Sequence, residues 1–175
     1  MNTPIPLGSP IVSPTRAHFD TVPQTPFQLE RSFTHRLHTL TKVTDRVTQS
    51  AYLTDADIGF SEGRCLAAVG AFSPLSINDL AARANLDKGQ ASRAAQALVD
   101  QGWVRKAPSP SDRRGVVLTL TATGKKRWDK LQAVIAQRNA DILACLNPTE
   151  RETLSTLLDR LLDHAQTHAT PRTAP

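Results

Sequence analysis

Apolar residues recur along most of the chain at spacings of three and four, the period of an amphipathic helix, and alternate in only one stretch. Phe33, Leu37, Leu40, Thr44, Val47 and Ala51 share one face and predict a long helix from about Pro26 to Tyr52. The following LTDADIGF reads as a loop, after which Ser61 is placed to cap a short helix carrying Leu66, Val69 and Gly70 toward a core. Ser73-Pro74 ends that helix. Ser76, with Asp79 three residues later, opens another in capping-box spacing, and Ile77, Leu80, Ala81 and Ala84 form its inner face. Asn85-Leu86 makes a tight turn. Asp87, with Gln90 in the matching position, then caps a helix from Lys88 to Gln101 that turns Ala91, Ala94, Ala95, Leu98 and Val99 inward. Gly102 stands where a helix needs a residue tolerant of the left-handed conformation.

The alternating stretch comes next. Trp103-Val104-Arg105 reads as a strand, PSPSDRRG as a turn-rich loop and VVLTLT as a β-branched return strand, together a β-hairpin. Beyond Thr121 a second long helix carries Trp128, Leu131, Ile135, Ile142 and Leu146 along one side. Asn147-Pro148 breaks it, and a last helix from Glu150 to about Ala165 carries Leu154, Leu157, Leu158, Leu161 and Leu162. Six of the twelve prolines fall in the first 26 residues, which show little periodicity and read as a flexible arm.

Two short helices, a tight turn and an immediate hairpin make a winged helix-turn-helix. The expected fold is therefore mainly α with a small β-hairpin wing, the winged unit being flanked by N- and C-terminal dimerisation helices. Five segments follow: an arm over 1–25, an N-terminal helix and loop over 26–60, the winged domain over 61–121, C-terminal helices over 122–168 and a frayed tail over 169–175. The flanking helices carry more apolar surface than a domain of some fifty residues can cover, which favours burial against a second copy of the chain.

Composition narrows the function classes. No apolar run approaches the ~20 residues of a membrane span, and the N-terminus lacks the basic start and apolar stretch of a signal peptide, so the chain is read as cytoplasmic with no membrane partner. Cys65 and Cys145 stand apart, outside any CxxC or Cys/His cluster, which indicates neither a disulfide framework nor a metal site. No GxSxG, HExxH, P-loop or glycine-rich nucleotide loop occurs, so no enzyme and no cofactor is expected. Of a net charge of +5, the whole excess lies between Ser76 and Arg127, where ten Lys or Arg face four Asp or Glu. A basic centre between near-neutral flanks suits a polyanion.

The outward positions of the Lys88–Gln101 helix give that charge a chemistry. Lys88, Gly89, Gln90, Ser92, Arg93 and Gln96 are polar or small, and Gln and Arg can pair bidentately with adenine and guanine edges in the major groove of double-stranded DNA. Gly89, in the first turn, permits close approach of a phosphate to backbone N–H groups. In the hairpin, Arg113 and Arg114 put two guanidinium groups at an exposed turn, suited to a narrow minor groove. Asp112 makes sense there as a partner that aims a neighbouring Arg, in the wing or at Arg93. The competing reading is a winged helix that binds protein instead of DNA.

The stretch SINDLAARANLDKGQASRAAQALVDQGWVRKAPSPSDRRGVVLTLTATGKK resembles the MarR family of bacterial transcriptional regulators. LDKGQASR, LVDQGWV and DRRGVVLTLTATG carry the likeness, strong over about fifty residues and weaker over the flanking helices. The resemblance implies a homodimer on a pseudo-palindromic operator, its recognition helices about 34 Å apart, and repression relieved by a small ligand or by oxidation. It also implies that Asp112 is the wing acid and Arg114 the minor-groove reader, with Arg113 a phosphate contact or second reader. Gly89, Gly63 and the long arm depart from the family pattern.

Members of the family take small aromatic acids or phenols, such as hydroxybenzoates, between the dimerisation helices and the winged domain. Such an effector needs an apolar slot and a cation or donor for its carboxylate. Arg31, His35, Arg36 and His38 on the first long helix, and Arg64 on the next, are the candidates. His35 and His38 share a helix face, where they serve equally as polar positions facing a dimer partner. Arg64 is otherwise an ion-pair partner for Glu62 or Asp57. Redox sensing through Cys65 or Cys145 is the alternative regulation, although neither position matches the N-terminal-helix cysteine of the oxidation-sensing members.

Overall fold

The computed structural model describes residues 26–109 and 115–168, so the arm, the tail and the hairpin tip with Asp112, Arg113 and Arg114 lie outside the described residues. The chain divides into two units, Met1–Leu37 and His38–Pro175. In the first, a 3-10 turn over Leu29–Arg31 precedes helix α1 (Phe33–Ala56). The helix expected from about Pro26 thus begins at Phe33. Ser32 takes an extended backbone and its Oγ donates to the Leu29 carbonyl at 2.7 Å, closing the short turn instead of continuing into a helix.

Within the second unit α1 runs one turn past Tyr52. Tyr52 and Ala56 lie on the same face and are both buried, so the apolar contact carries the helix through much of the segment expected to be loop. Asp57, with φ of 52°, ends it. Helix α2 (Phe60–Phe72) then starts earlier than expected, with extended Gly59 and not Ser61 at its N-cap. The cause is again a packing contact: the Phe60 ring meets Tyr52 at a centroid distance of 5.8 Å. Gly63 allows this approach, because a Cβ there would collide with the Tyr52 ring.

Local signals set the next two helix starts where they were expected, whereas the strand expected at Trp103-Val104-Arg105 runs from Val104 to Pro108, into the segment read as loop. Ser76 caps α3 (Ile77–Ala84), its Oγ accepting from the Asp79 N–H at 3.2 Å. Asn85 turns the chain with φ of 51°, and α4 (Lys88–Asp100) follows. Gly102, φ 69°, releases the chain into β1 (Val104–Pro108), which pairs antiparallel with β2 (Val116–Leu120) in the register Val104 to Leu120. Leu75 adds a bridge to the same hairpin, exchanging backbone hydrogen bonds with Leu118 at 2.8 and 3.2 Å.

The core lies where α2 packs on α3, α4 and α5 (Ala122–Ile142). Leu66, Val69, Leu80, Leu98, Val104, Leu118 and Leu131 are its fully buried large side chains. Thr121 caps α5, its Oγ1 accepting from Gly124 N–H at 2.9 Å and donating to the Gly102 carbonyl at 2.7 Å. The helix stops at Ile142, short of the Leu146 expected from the apolar pattern; a turn closed by the Leu146 N–H donating to the Leu143 carbonyl at 3.0 Å replaces its last residues. The final helix α6 spans Pro148–His168 and starts two residues earlier than expected, because Asn147 and Glu150 exchange side-chain to backbone bonds at 2.9 and 3.0 Å around Pro148. None of its residues is buried.

Candidate nucleic-acid interface and adjoining cavity

The geometry of α4 follows from its cap. Asp87 Oδ1 accepts from the Gln90 N–H at 2.7 Å, and Gln90 Oε1 accepts from the Asp87 N–H at 3.4 Å. This reciprocal box satisfies two donors that a helix start leaves without intrahelical partners. Ala91, Ala94, Ala95 and Leu98 are buried against the core and fix which face looks outward. Lys88, Gly89, Gln90, Ser92, Arg93 and Gln96 are all exposed. The six positions therefore form one polar surface, but their side chains are not equally free. The Gln90 carbonyl oxygen belongs to the cap. Gln96 Nε2 donates to Asp100 Oδ1 at 2.7 Å, and Gln96 Oε1 accepts from Lys106 Nζ at 2.7 Å. Arg93 makes no ion pair among the described residues, and its Nη1 lies 3.4 Å from where a Cβ on Gly89 would sit.

The hairpin follows α4 directly, through Gly102. Arg105 Nε donates to Thr119 Oγ1 across the strands at 3.0 Å, and the Ser109 N–H donates to the Gly115 carbonyl at 2.9 Å, closing the base of the tip. Asp112, Arg113 and Arg114 lie beyond this closure, outside the described residues.

A cavity of about 250 Å³ opens beside α3, lined by Tyr52, Arg64, Phe72, Arg83, Asn85 and Trp128 among others. Arg83 stacks on the Phe72 ring at 4.6 Å and Arg64 on Phe60 at 5.4 Å, so both guanidinium groups are held by aromatic faces. Among the described residues the ion pair considered for Arg64 with Glu62 or Asp57 does not form; Asp57 instead faces Arg127 at 3.9 Å. Tyr52 is buried. Burial pushes its phenol pKa up, against the lowering influence of Arg64.

Arg64 is the one candidate effector residue that lines this cavity. Arg31, His35, Arg36 and His38 are exposed. Arg83, Tyr52 and Trp128 escape a reading of the sequence, since they come from three different helices and no spacing joins them. Among the described residues no three His, Cys, Asp or Glu side chains cluster as a metal site. A larger hollow of about 480 Å³ between α1 and α5 is lined by Val47, Ala51, Asp55, Val134, Arg138 and Asp141 among others. Arg138 pairs there with Asp141 at 2.7 Å, its Nε buried without a partner among the described residues.

The two cysteines differ. Burial pushes the Cys65 thiol up to about 12, with Glu62 adding to the shift, whereas Cys145 is exposed. A peroxide-sensing thiol needs the opposite shift, toward thiolate.

Helices α3 and α4 and the β1–β2 hairpin together have the winged helix-turn-helix arrangement. Comparison with known proteins narrows this further. The MarR family profile matches residues 56–115. The transcriptional regulator BilQ of Clostridium symbiosum is 30% identical over 93 residues, covering 53% of this chain and 65% of BilQ, so that alignment leaves about a third of the relative unmatched. Escherichia coli MarR, the multiple antibiotic resistance protein, is 27% identical over 127 residues, covering 72% of this chain and 88% of MarR. Its apo crystal structure superposes with a TM-score of 0.64 at 26% identity, covering 75% of this chain and 97% of MarR. A cysteine-to-serine mutant of the same protein, solved with operator DNA, gives 0.63 at 26% identity, with 74% and 92% covered. In fold alone the chain also matches BpsR of Bordetella bronchiseptica, whose DNA binding is regulated by 6-hydroxynicotinic acid, at a TM-score of 0.69 and 21% identity over 79% of this chain and 99% of BpsR. Over residues 56–115 the chain is thus similar to the MarR family, and its fold is that of the winged-helix regulators it superposes on. Among its described residues no helix is long and apolar enough to cross a membrane.

Proposed function

We propose that this protein is a homodimeric repressor that binds a pseudo-palindromic operator through α4 and the hairpin, and lets go when a small aromatic acid binds. The outer face of α4 carries the reading. From Lys88 to Val99 it holds two cations and no carboxylate, on a helix fixed to the core by its alanine face. A solvent-facing helix with no partner would ordinarily mix both signs of charge. In this reading α4 enters the major groove, Arg114 reaches the minor groove with Arg113 a phosphate contact or second reader, and Asp112 aims a neighbouring arginine, in the wing or Arg93.

The dimer is supported by surface that the chain itself leaves uncovered. Leu157, Leu158, Leu161 and Leu162 on α6 are 43–57% exposed, and Leu40, Val43 and Val47 on α1 are exposed as well. A stripe of this kind in water favours association, and a two-fold copy covers it symmetrically. The effector reading rests on the cavity beside α3. Two arginines suit a carboxylate, Tyr52 lines the same space with its hydroxyl, and Phe72 and Trp128 supply aromatic walls in a space sized for one ring. The hollow between α1 and α5 suits an anion less well, because Asp55 and Asp141 line it too.

Binding to mixed genomic duplex fragments, followed by fluorescence anisotropy across a salt series, tests the reading. Affinity should fall by decades between about 50 and 200 mM salt as condensed counterions cease to be released favourably. Arg114→Ala should weaken binding while leaving the dimer intact. A flat salt response would remove DNA from the reading, and unchanged affinity in Arg114→Ala would remove the minor-groove assignment.

A further inference from the structure

We infer that Gln96 is not a base reader but the centre of a strut that sets the wing against the recognition helix, and that Arg93 is the base-reading side chain of α4. This rests on the DNA-binding reading above. An amide recognises adenine by presenting its oxygen and its NH2 together to one base edge. In Gln96 both ends are engaged elsewhere. Nε2 donates to Asp100 at 2.7 Å, one turn further along α4, and Oε1 accepts from Lys106 on β1 at 2.7 Å. Each bond has an ionised partner, the stronger class of hydrogen bond. The relay Asp100–Gln96–Lys106 thus joins the last turns of the helix to the middle of the first wing strand. Lys106 stands in register with Leu118, a fully buried core residue, so the strand end of the strut is anchored.

The other side chains of that face divide by the same test. Gln90 has given its carbonyl oxygen to the capping box. Arg93 has no ion-pair partner among the described residues, and it lies in the second turn of α4, one turn above Gly89 and toward the helix end that contacts base edges in such motifs. Gly89 is its neighbour on this face: a Cβ there would be in ordinary contact with Arg93 Nη1, at 3.4 Å, and closer to Asp87 Oδ1, at 3.2 Å. The two-pronged donors of that guanidinium match the guanine edge.

The test selects duplexes from a randomised pool on the wild-type protein and then measures every single-base variant of the selected site. Arg93→Ala should flatten the preference at one position of each half-site by about tenfold or more. Gln96→Ala should keep the wild-type profile and weaken all sites evenly by about two- to fivefold, the worth of an exposed charged contact. Lys106→Ala should cost less in the Gln96→Ala background than in the wild type, because the strut is already open. Independent, additive losses for Gln96→Ala and Lys106→Ala, or a base position whose preference vanishes in Gln96→Ala, would overturn the strut. A complete profile in Arg93→Ala would overturn the assignment of the reader. Failure of the wild type to enrich any duplex would instead refute the DNA-binding reading beneath both.

Discussion

Replacing Gly124 with alanine probes the joint at which the winged domain hands its chain to α5. Gly124 is the third residue of that helix, and its N–H is held by the capping Thr121 Oγ1 at 2.9 Å. A Cβ added there collides with the Trp103 carbonyl, and that carbonyl is itself fixed by accepting from the Thr121 N–H at 3.0 Å. No side-chain rotation relieves the clash, so α5 or the start of β1 must shift. Overpacking of this kind costs about 1–3 kcal/mol, and a backbone obstacle points to the upper end. Against a typical total of about 5–15 kcal/mol the loss is large. It corresponds to a fall in Tm of roughly 6–12 °C for a domain of this size. Urea unfolding followed by far-UV circular dichroism, at fixed protein concentration, measures it directly. Gly102→Ala supplies the contrast. Its φ of 69° disfavours alanine, but nothing lies within 4 Å of the added Cβ, so only the backbone penalty of about 1 kcal/mol is expected. A Gly124→Ala variant within about 0.5 kcal/mol of wild type, or less harmed than Gly102→Ala, would refute the steric reasoning.

Three other perturbations address separate parts of the molecule. Leu161→Glu, on the exposed stripe of α6, should leave helix content unchanged and shift the protein toward monomer in sedimentation; an unaltered mass would remove α6 from the dimer contact. Cys65 stays protonated in the fold up to about pH 12, whereas a thiol in the unfolded chain ionises at about 8.5. The native state therefore holds a proton that the unfolded state has lost, so stability should fall as pH rises from about 9 toward 12. Cys65→Ala should flatten that decline, leaving the part that the raised Tyr52 phenol contributes, and alkylation of the native protein at pH 8 should fall on Cys145. Modification of Cys65 at a similar rate would contradict its burial. Tyr52→Phe removes a hydroxyl from the lining of the cavity beside α3 and should raise the concentration of a hydroxybenzoate needed to release DNA by about fivefold, near the worth of one hydrogen bond. Equal response in the two proteins would take Tyr52 out of the effector site.

The features legible in the sequence were those whose physics is contained within a few residues. Ser76 and Asp87 announce helix starts because their side chains bond to backbone N–H groups three positions on, and Gly102 announces a helix end because its backbone conformation is local. The inward alanines and leucine of α4 followed from period alone, and with them the outward set that includes Lys88 and Arg93. Tertiary structure decided what local signals could not reach. The end of α1 and the start of α2 depend on Tyr52 meeting Phe60 across a turn, so a segment read as loop and a cap read at Ser61 gave way to that contact. Residue type alone made Gln96 a candidate reader, but a lysine ten positions later, brought back by the hairpin, engages its oxygen. The cavity shows the same limit. Arg64 was recognisable as a cation near an apolar helix, while Arg83, Tyr52 and Trp128 join it only because α3 and α5 pack on α2 and the Tyr52 ring reaches across Gly63. Sequence determined which surfaces are polar and where helices begin; the fold decided which of those polar groups remain free to bind something else.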